Sequence, residues 1–333
     1  MLQLFITFII LFVFAFSYMH LADKLNIIDK PNARSSHTKP TIRGGGIVFP
    51  VAWLVYFSLN GFPFPFFTCG LILLAVISFA DDIKPVSNKL RLAFHLLAFS
   101  LCFYELGLFS ILPIWFLMIV YIISIGCLNA INFMDGINGM TGLYMLAIFV
   151  PMLMMRTGNP FENPIAYIIM SILVFGFFNF RTKARFFAGD VGSVSMAYIV
   201  IFFILGFMFH RWQVVERNLI IKPSGYTDFS LRYLLLLCLY GVDTILTLVH
   251  RIYLKENIFQ AHRKHLYQYF ANELKWPHMI VAGIYATIQF GISIYILSVP
   301  ISFLQGFSLV LGFSILYGLI KFFIIKIKMR HEF

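Results

Sequence analysis

Long apolar runs alternate with short polar ones along the whole chain, on the length scale of a lipid bilayer. A helix that crosses the hydrocarbon layer needs ~20 mostly apolar residues. Leu2–Leu21 is the first such run, followed by Gly44–Leu59, Phe66–Ala80 and Leu92–Phe109. The fifth ends at Leu128, the sixth is Thr141–Met155, the seventh ends at Phe180, the eighth near His210, and the ninth is Leu231–Val249. Two more, with a break near Gln305, precede the tail Lys326–Phe333. The pattern predicts an all-α polytopic membrane protein of about ten or eleven transmembrane helices. The first run lacks a basic n-region and an A-x-A cleavage site, so it reads as an uncleaved anchor.

Composition sharpens this picture. Sixty per cent of the residues are hydrophobic and 12% are charged, which leaves no room for a separate soluble domain. Residues 1–333 are expected to form one integral-membrane domain. Cys69, Cys102, Cys127 and Cys238 sit in apolar runs with no C-x-x-C pair, indicating neither a disulfide framework nor a zinc site. The net charge of +11 matters through its placement. Twenty of the 25 Lys and Arg follow the odd-numbered runs or lie in the tail, leaving Arg156, Arg211, Arg217, Lys222 and Arg232 on the other side. Basic residues concentrate on the cytoplasmic face, so the N-terminus is expected outside and the C-terminus inside. A nucleic-acid partner is excluded, because no basic soluble surface exists to hold one.

With that topology, every concentrated polar motif falls on the cytoplasmic side. Asp81-Asp82 closes the third run, and adjacent carboxylates at a low-dielectric boundary call for a cation. Mg²⁺ favours a few carboxylates plus substrate phosphates. Lys84, Lys89 and Arg91 just downstream suit a lipid phosphate or simple positive-inside anchoring. Asn129–Met140, NAINFMDGINGM, places three asparagines and one carboxylate between two apolar runs, where polar groups are costly unless they line a wet cavity. In FAGDVGS, Phe187–Ser193, Asp190 lies between glycines at a helix start and is either an N-cap or a metal ligand. AHRKHLYQ, Ala261–Gln268, carries His262 and His265 three apart with Arg263 and Lys264 between them. No Cys or acidic partner for zinc is near, which leaves pyrophosphate contact or a solvated basic loop. Pro31–Ile47 sets Lys39 and Arg43 beside a glycine triplet, a phosphate seat or a glycine packing surface. Asp243 lies deep in the ninth run and is a candidate for the same cavity.

DD after the third run, NxxNxxDG after the fifth, GDxGS before the eighth and the late histidine motif resemble the polyprenyl-phosphate N-acetylhexosamine-1-phosphate transferases, glycosyltransferase family 4. SSHTKPTIRGGGI and AHRKHLYQ look most like the branch that initiates O-antigen and enterobacterial common antigen. Translocase I of peptidoglycan synthesis is related but carries consecutive histidines. The resemblance implies a helical bundle in the bacterial inner membrane, usually dimeric, with a cytoplasmic active-site cleft. It implies transfer of a sugar-1-phosphate from a UDP-N-acetylhexosamine to undecaprenyl phosphate with release of UMP, dependent on Mg²⁺ or Mn²⁺. Carried onto this chain, Asp81 and Asp82 with His262 and His265 would be catalytic. Lys39, Arg43, Asn129, Asn132, Asp135 and Arg263 would bind substrate, and Asp190 and Asp135 would hold the metal. Many members read DGxDG where this chain reads DGING, so Asn138 stands in place of a second carboxylate. The rivals are a UDP-MurNAc-pentapeptide transferase and, from a different class, an anionic lipid transporter.

Overall fold

The computed structural model describes residues 2–31, 36–154, 162–215, 218–223, 230–257 and 262–331. The apolar runs form helices α1 (Leu2–Lys24), α2 (Val48–Leu59), α3 (Pro65–Ile83), α4 (Asn88–Glu105), α5 (Leu108–Ile111) and α6 (Ile114–Met134). The series continues with α7 (Met140–Met154), α8 (Glu162–Asn179), α9 (Gly189–Phe209), α10 (Cys238–Tyr253), the single turn α11 (Leu266–Gln268), α12 (His278–Ser298) and α13 (Phe303–His331). Among the described residues, seven helices are long and apolar enough to cross a membrane. Three shorter apolar ones, Gly45–Leu59, Met140–Met154 and Asn163–Asn179, accompany them. In a hydrocarbon solvent a helix is the one open structure that satisfies its own backbone, which is why apolar runs of this length become helices.

Helix α9 is the axis of the bundle. Its apolar window is 94% buried, against 17% for that of α13. It packs on α2, α3 and α6. Phe67 of α3 stacks on Tyr198 and Phe202 of α9, with ring centroids 4.7 and 4.0 Å apart. Tyr198 also donates its hydroxyl to the Ala98 carbonyl of α4 at 2.7 Å. These contacts fix how α3, α4 and α9 are rotated about their axes, and so which residues at their ends face one another.

Three local expectations are revised. Helix α6 runs on to Met134, so Asn129 and Asn132 lie on its last turns and the polar turn begins only at Asp135. The polar connection after α9 contains a hairpin, β3 (His210–Val215) paired antiparallel with β4 (Asn218–Pro223), which satisfies backbone groups outside the helices. The break between the last two helices falls at Val299–Ser302, and the Gln305 side chain accepts the Ser302 N–H at 2.8 Å, securing the start of α13. The loop RTGNPFENP lies mostly outside the described residues, as do Arg34, Arg217 and Ala261.

A two-residue ladder pairs β1 (Ile28–Asp29) with β2 (Thr41–Ile42), Asp29 opposite Thr41. It lies at the end of the bundle where α3 and α6 finish and α4, α7 and α9 begin.

Candidate active site

Close backbone packing assembles the site. The N–H groups of Gly45 and Gly46 donate to the carbonyls of Phe187 and Ala188 at 2.8 and 3.0 Å, and that of Phe187 donates to Ile42 at 2.8 Å. A Cβ on Gly192 would lie 2.7 Å from the Gly46 Cα, and one on Gly46 would strike the backbone of Gly192 and Ala188. The glycines of RGGG and AGDVG therefore serve a contact that side chains would prevent. This also revises the phosphate-seat reading of the triplet. Two of its three amides are engaged by protein carbonyls and so do not hold a phosphate.

That packing brings Arg43 between two acids. Its Nε lies 2.6 Å from Asp82 Oδ1, and its Nη2 lies 3.1 Å from Asp190 Oδ1. The Asp82 side chain is fully buried and also accepts the N–H groups of Asp190 and Val191, at 2.8 and 3.0 Å. Asp82 thus caps α9 from another helix, where orphan N–H groups and the helix dipole favour a negative charge. Of the two readings open for Asp190, the capping function is performed by Asp82. Asp190 Oδ1 also accepts from Asn132 Nδ2 at 3.3 Å, and Asn132 donates to Ser193 Oγ at 2.8 Å. A second arginine, Arg91, sits 3.1 Å from Asp81 Oδ2 and 3.8 Å from Asp190 Oδ2. Asp81 also accepts the Val86 N–H at 2.6 Å. Two guanidinium forks, suited to bridging planar anions, thus bind together three carboxylates drawn from α3 and α9.

The turn after α6 supplies a fourth acid and one structural amide, and the end of α8 supplies a second amide. Asp135 accepts from Thr141 Oγ1 at 2.5 Å, and burial pushes its carboxyl up to about 6 against the pull of that hydrogen bond. Asn138 is buried and donates Nδ2 to the carbonyls of Arg181 and Thr182, at 2.8 and 3.4 Å. A carboxylate there could not donate, so the amide answers a structural need of this chain. Asn179 accepts the Gly139 N–H at 2.7 Å and donates to the Phe186 carbonyl at 2.9 Å.

These groups border a cavity of about 260 Å³. Arg43, Asn132, Asp135 and Asp190 line it, together with Asp29, Ser36, His37, Ser193, Gln268 and His278. Asp81 and Asp82 stand behind that wall, through Arg91 and Arg43 respectively. Other expected residues lie elsewhere. Asn129 bonds to its own helix through the Ile125 carbonyl at 2.9 Å, and Lys39 is exposed. Neither lines the cavity, nor do His262, Arg263 and His265, which sit on the neighbouring loop. Burial and the adjacent His265 lower His262 to about 4, so it is neutral at pH 7. His265 is 3% exposed and bonds through Nδ1 to Asp243 Oδ1 at 3.1 Å. Asp243 is correspondingly enclosed within the bundle and does not line this cavity. Of the lining residues the motifs did not single out, Ser193 stands three residues after Asp190 on the same helical face, a legible signal. Ser36 and His37 fall within the quoted glycine-rich segment, and Gln268 ends the histidine motif. Asp29, Asn179 and His278 carry no local mark.

Residues 64–208 match the family model described as glycosyl transferase family 4. The chain is 26% identical over 269 residues to an undecaprenyl-phosphate alpha-N-acetylglucosaminyl 1-phosphate transferase of Thermotoga maritima, covering 78% of each chain. It is 27% identical over 204 residues to a probable undecaprenyl-phosphate N-acetylglucosaminyl 1-phosphate transferase of Bacillus subtilis, covering 54% of this chain and 55% of the relative. It is also 27% identical over 170 residues to a phospho-N-acetylmuramoyl-pentapeptide-transferase of Thermotoga neapolitana, covering 46% of this chain and 56% of the relative. The chain thus spans about half the length of two of these three. These matches bear out the family resemblance carried by the motifs. The matched stretch holds Asp81, Asp82, Asn129, Asn132, Asp135 and Asp190, while the Asp29–Arg43 segment and the histidine loop lie outside it.

Proposed function

We propose that this chain transfers an N-acetylhexosamine-1-phosphate from a UDP-sugar to undecaprenyl phosphate, releasing UMP and starting a lipid-linked cell-surface glycan of the O-antigen kind. The observation that carries the reading is the pair of arginine forks. Arg43 joins Asp82 to Asp190 and Arg91 joins Asp81 to Asp190, beside a polar cavity at one end of an apolar bundle. The reaction brings two phosphate anions together, so it needs charge neutralisation and in-line alignment more than covalent chemistry. Arg43 and Arg91 are placed to supply the first. Asp81 would orient the lipid phosphate or take its proton, and Asp82 would hold Arg43 and the start of α9 in register. Asn132 and Asp135 would shape the nucleotide end. Lys39 and the loop of His262, Arg263 and His265 would approach the phosphates from the rim, with Asn129 supporting from α6.

The donor set fits a divalent cation such as Mg²⁺ or Mn²⁺. Asp190 and Asp135 offer hard oxygen ligands, and among the described residues no three His, Cys, Asp or Glu form a closed cage. Mg²⁺ suits such a place, since it keeps several waters and takes one or two carboxylates plus substrate phosphates. Bound there, the cation would neutralise charge on the transferred phosphate. The distribution of Lys and Arg supports a cytoplasmic position for this end of the bundle, in a protein of the bacterial inner membrane.

Purified full-length protein, undecaprenyl phosphate, Mg²⁺ and a panel of UDP-sugars that includes UDP-MurNAc-pentapeptide test the reading through UMP release. Release with an N-acetylhexosamine donor alone is expected. Release only with the pentapeptide donor would move the chain to the peptidoglycan branch, and no release from folded protein with any donor would sink the transferase reading.

A further inference from the structure

Beyond the cavity, the most heavily bonded buried acid among the described residues is Asp243, on α10 and 1% exposed. Its Oδ2 accepts from the Tyr285 hydroxyl of α12 at 2.8 Å. Its Oδ1 accepts from the Leu266 N–H at 3.1 Å and from Thr247 Oγ1 at 3.2 Å, and lies 3.1 Å from His265 Nδ1. Burying a carboxylate costs several kcal/mol unless donors surround it. Here they arrive from three helices, the Tyr317 hydroxyl of α13 lying 3.4 Å from Oδ1, and from the histidine loop. A second clamp holds the same loop from α13, where Lys321 Nζ donates to the Lys264 carbonyl at 2.7 Å.

From this anchor the loop reaches the cavity within three residues. Tyr267 donates its hydroxyl to the Phe133 carbonyl at 3.1 Å, and its ring lies against Gly136, where a Cβ would collide with it. Gln268 accepts the His265 N–H at 3.2 Å and lines the cavity itself. His265 Nε2 is buried and has no hydrogen-bond partner among the described residues, with the His262 ring centroid 4.9 Å from its own.

We propose that Asp243 is a positioning residue: it holds His265 as the Nδ1–H tautomer and, through Leu266, sets Tyr267 and Gln268 against the Asp135–Gly136 turn. The other neighbours of the carboxylate donate to it, so the imidazole donates as well. The proton then sits on Nδ1, and Nε2 is left as an acceptor. Carboxylates that fix a histidine's tautomer and orientation recur beside metal-bound and catalytic imidazoles. The inference rests on the transferase reading for its effect on turnover, and on geometry alone for the tautomer.

The decisive substitution is Asp243→Asn. It conserves shape and, because the Leu266 N–H keeps the amide oxygen at the Oδ1 position, leaves Nδ1 facing a neutral and weaker acceptor in place of a carboxylate. In full-length protein labelled with ¹⁵N-histidine, His265→Gln identifies the resonance. Wild type is expected to show Nδ1–H, and Asp243→Asn, whose neutral amide holds that proton less firmly, to show a measurable Nε2–H fraction. In the UMP-release assay, Asp243→Asn is expected to lower kcat about 10- to 100-fold, as losing an orienting partner does, with the donor KM little changed. An Nε2–H tautomer or an imidazolium in wild type would overturn the proposal, as would full kcat in folded Asp243→Asn. If that variant fails to fold, the wild-type tautomer still decides. If wild type releases no UMP from any donor, the transferase reading falls while the spectrum still judges Asp243.

Discussion

Asp82→Asn separates a carboxylate that organises the site from one that merely borders it. The Asp82 side chain is fully buried and receives the Arg43 Nε at 2.6 Å and two α9 N–H groups at 2.8 and 3.0 Å. Removing one partner of a buried pair costs about 3–5 kcal/mol, and losing an N-cap costs about 0.5–2 kcal/mol. Arg43 keeps 31% exposure of its side chain, so water recovers part of the first loss. Asparagine also retains one accepting oxygen for one of the two N–H groups. The net expectation is about 3 kcal/mol. Asp81→Asn is the control, because its partners are Arg91 at 3.1 Å and the Val86 N–H, with both charged side chains partly exposed. It should cost about 1–2 kcal/mol. With an unfolding entropy of about 2.1 cal/mol/K per residue, a chain of 333 residues shifts by about 1.4 °C per kcal/mol, so thermal melts in detergent should fall on the order of 4 °C for Asp82→Asn and clearly less for Asp81→Asn. UMP release by Asp82→Asn should also drop well below its melting temperature, because Arg43 and Asp190 lose their common anchor. Equal shifts for the two variants, or a smaller one for Asp82→Asn, would refute the capping argument.

Asp190→Asn should reduce UMP release by at least about 100-fold, since it removes a charge from the reaction centre; wild-type turnover would remove Asp190 from the proposed metal site. Chelation with EDTA should abolish turnover and added Mg²⁺ restore it, and activity persisting in EDTA would contradict the assigned cation. Gly46→Ala should destabilise by about 1–3 kcal/mol through overpacking, because its Cβ meets backbone on two sides and neither can rotate away; an unchanged melt would show that α2 and α9 are not held this closely. His262, lowered to about 4 by burial and its neighbour, binds its proton more weakly folded than unfolded. Stability should therefore fall as pH drops from about 6.5 towards 4, and His262→Gln should shrink that acid limb in melts recorded against pH.

Much of this protein is legible in its chain because the bilayer is a uniform solvent. A run of apolar residues long enough to span it becomes a helix whatever its neighbours do, so the all-helical architecture follows from local pattern. The same logic made the interruptions informative, and Asp81-Asp82, Asn132, Asp135 and Asp190 all come to one end of the bundle. What the pattern leaves open is who faces whom. Helix α9 is apolar on every side, so no periodic stripe indicates which face meets α3, and the ring stacking of Phe67 on Tyr198 and Phe202 decides it. Only then does Asp82 reach an N–H of a residue 108 positions away, Asn132 meet Ser193, and Asn129, one turn earlier on α6, turn back on its own helix. Asn138 looked like a weakened acid by its motif and is a donor to two carbonyls by its surroundings. Asp243 looked like a cavity residue by its depth and is the dock of the histidine loop by its partners. Hydrophobicity acts residue by residue and can be summed along a chain. A hydrogen bond between distant side chains exists only after packing has set two backbones within a few ångströms, and that is where the tertiary structure, rather than the sequence pattern, assigned each polar residue its place.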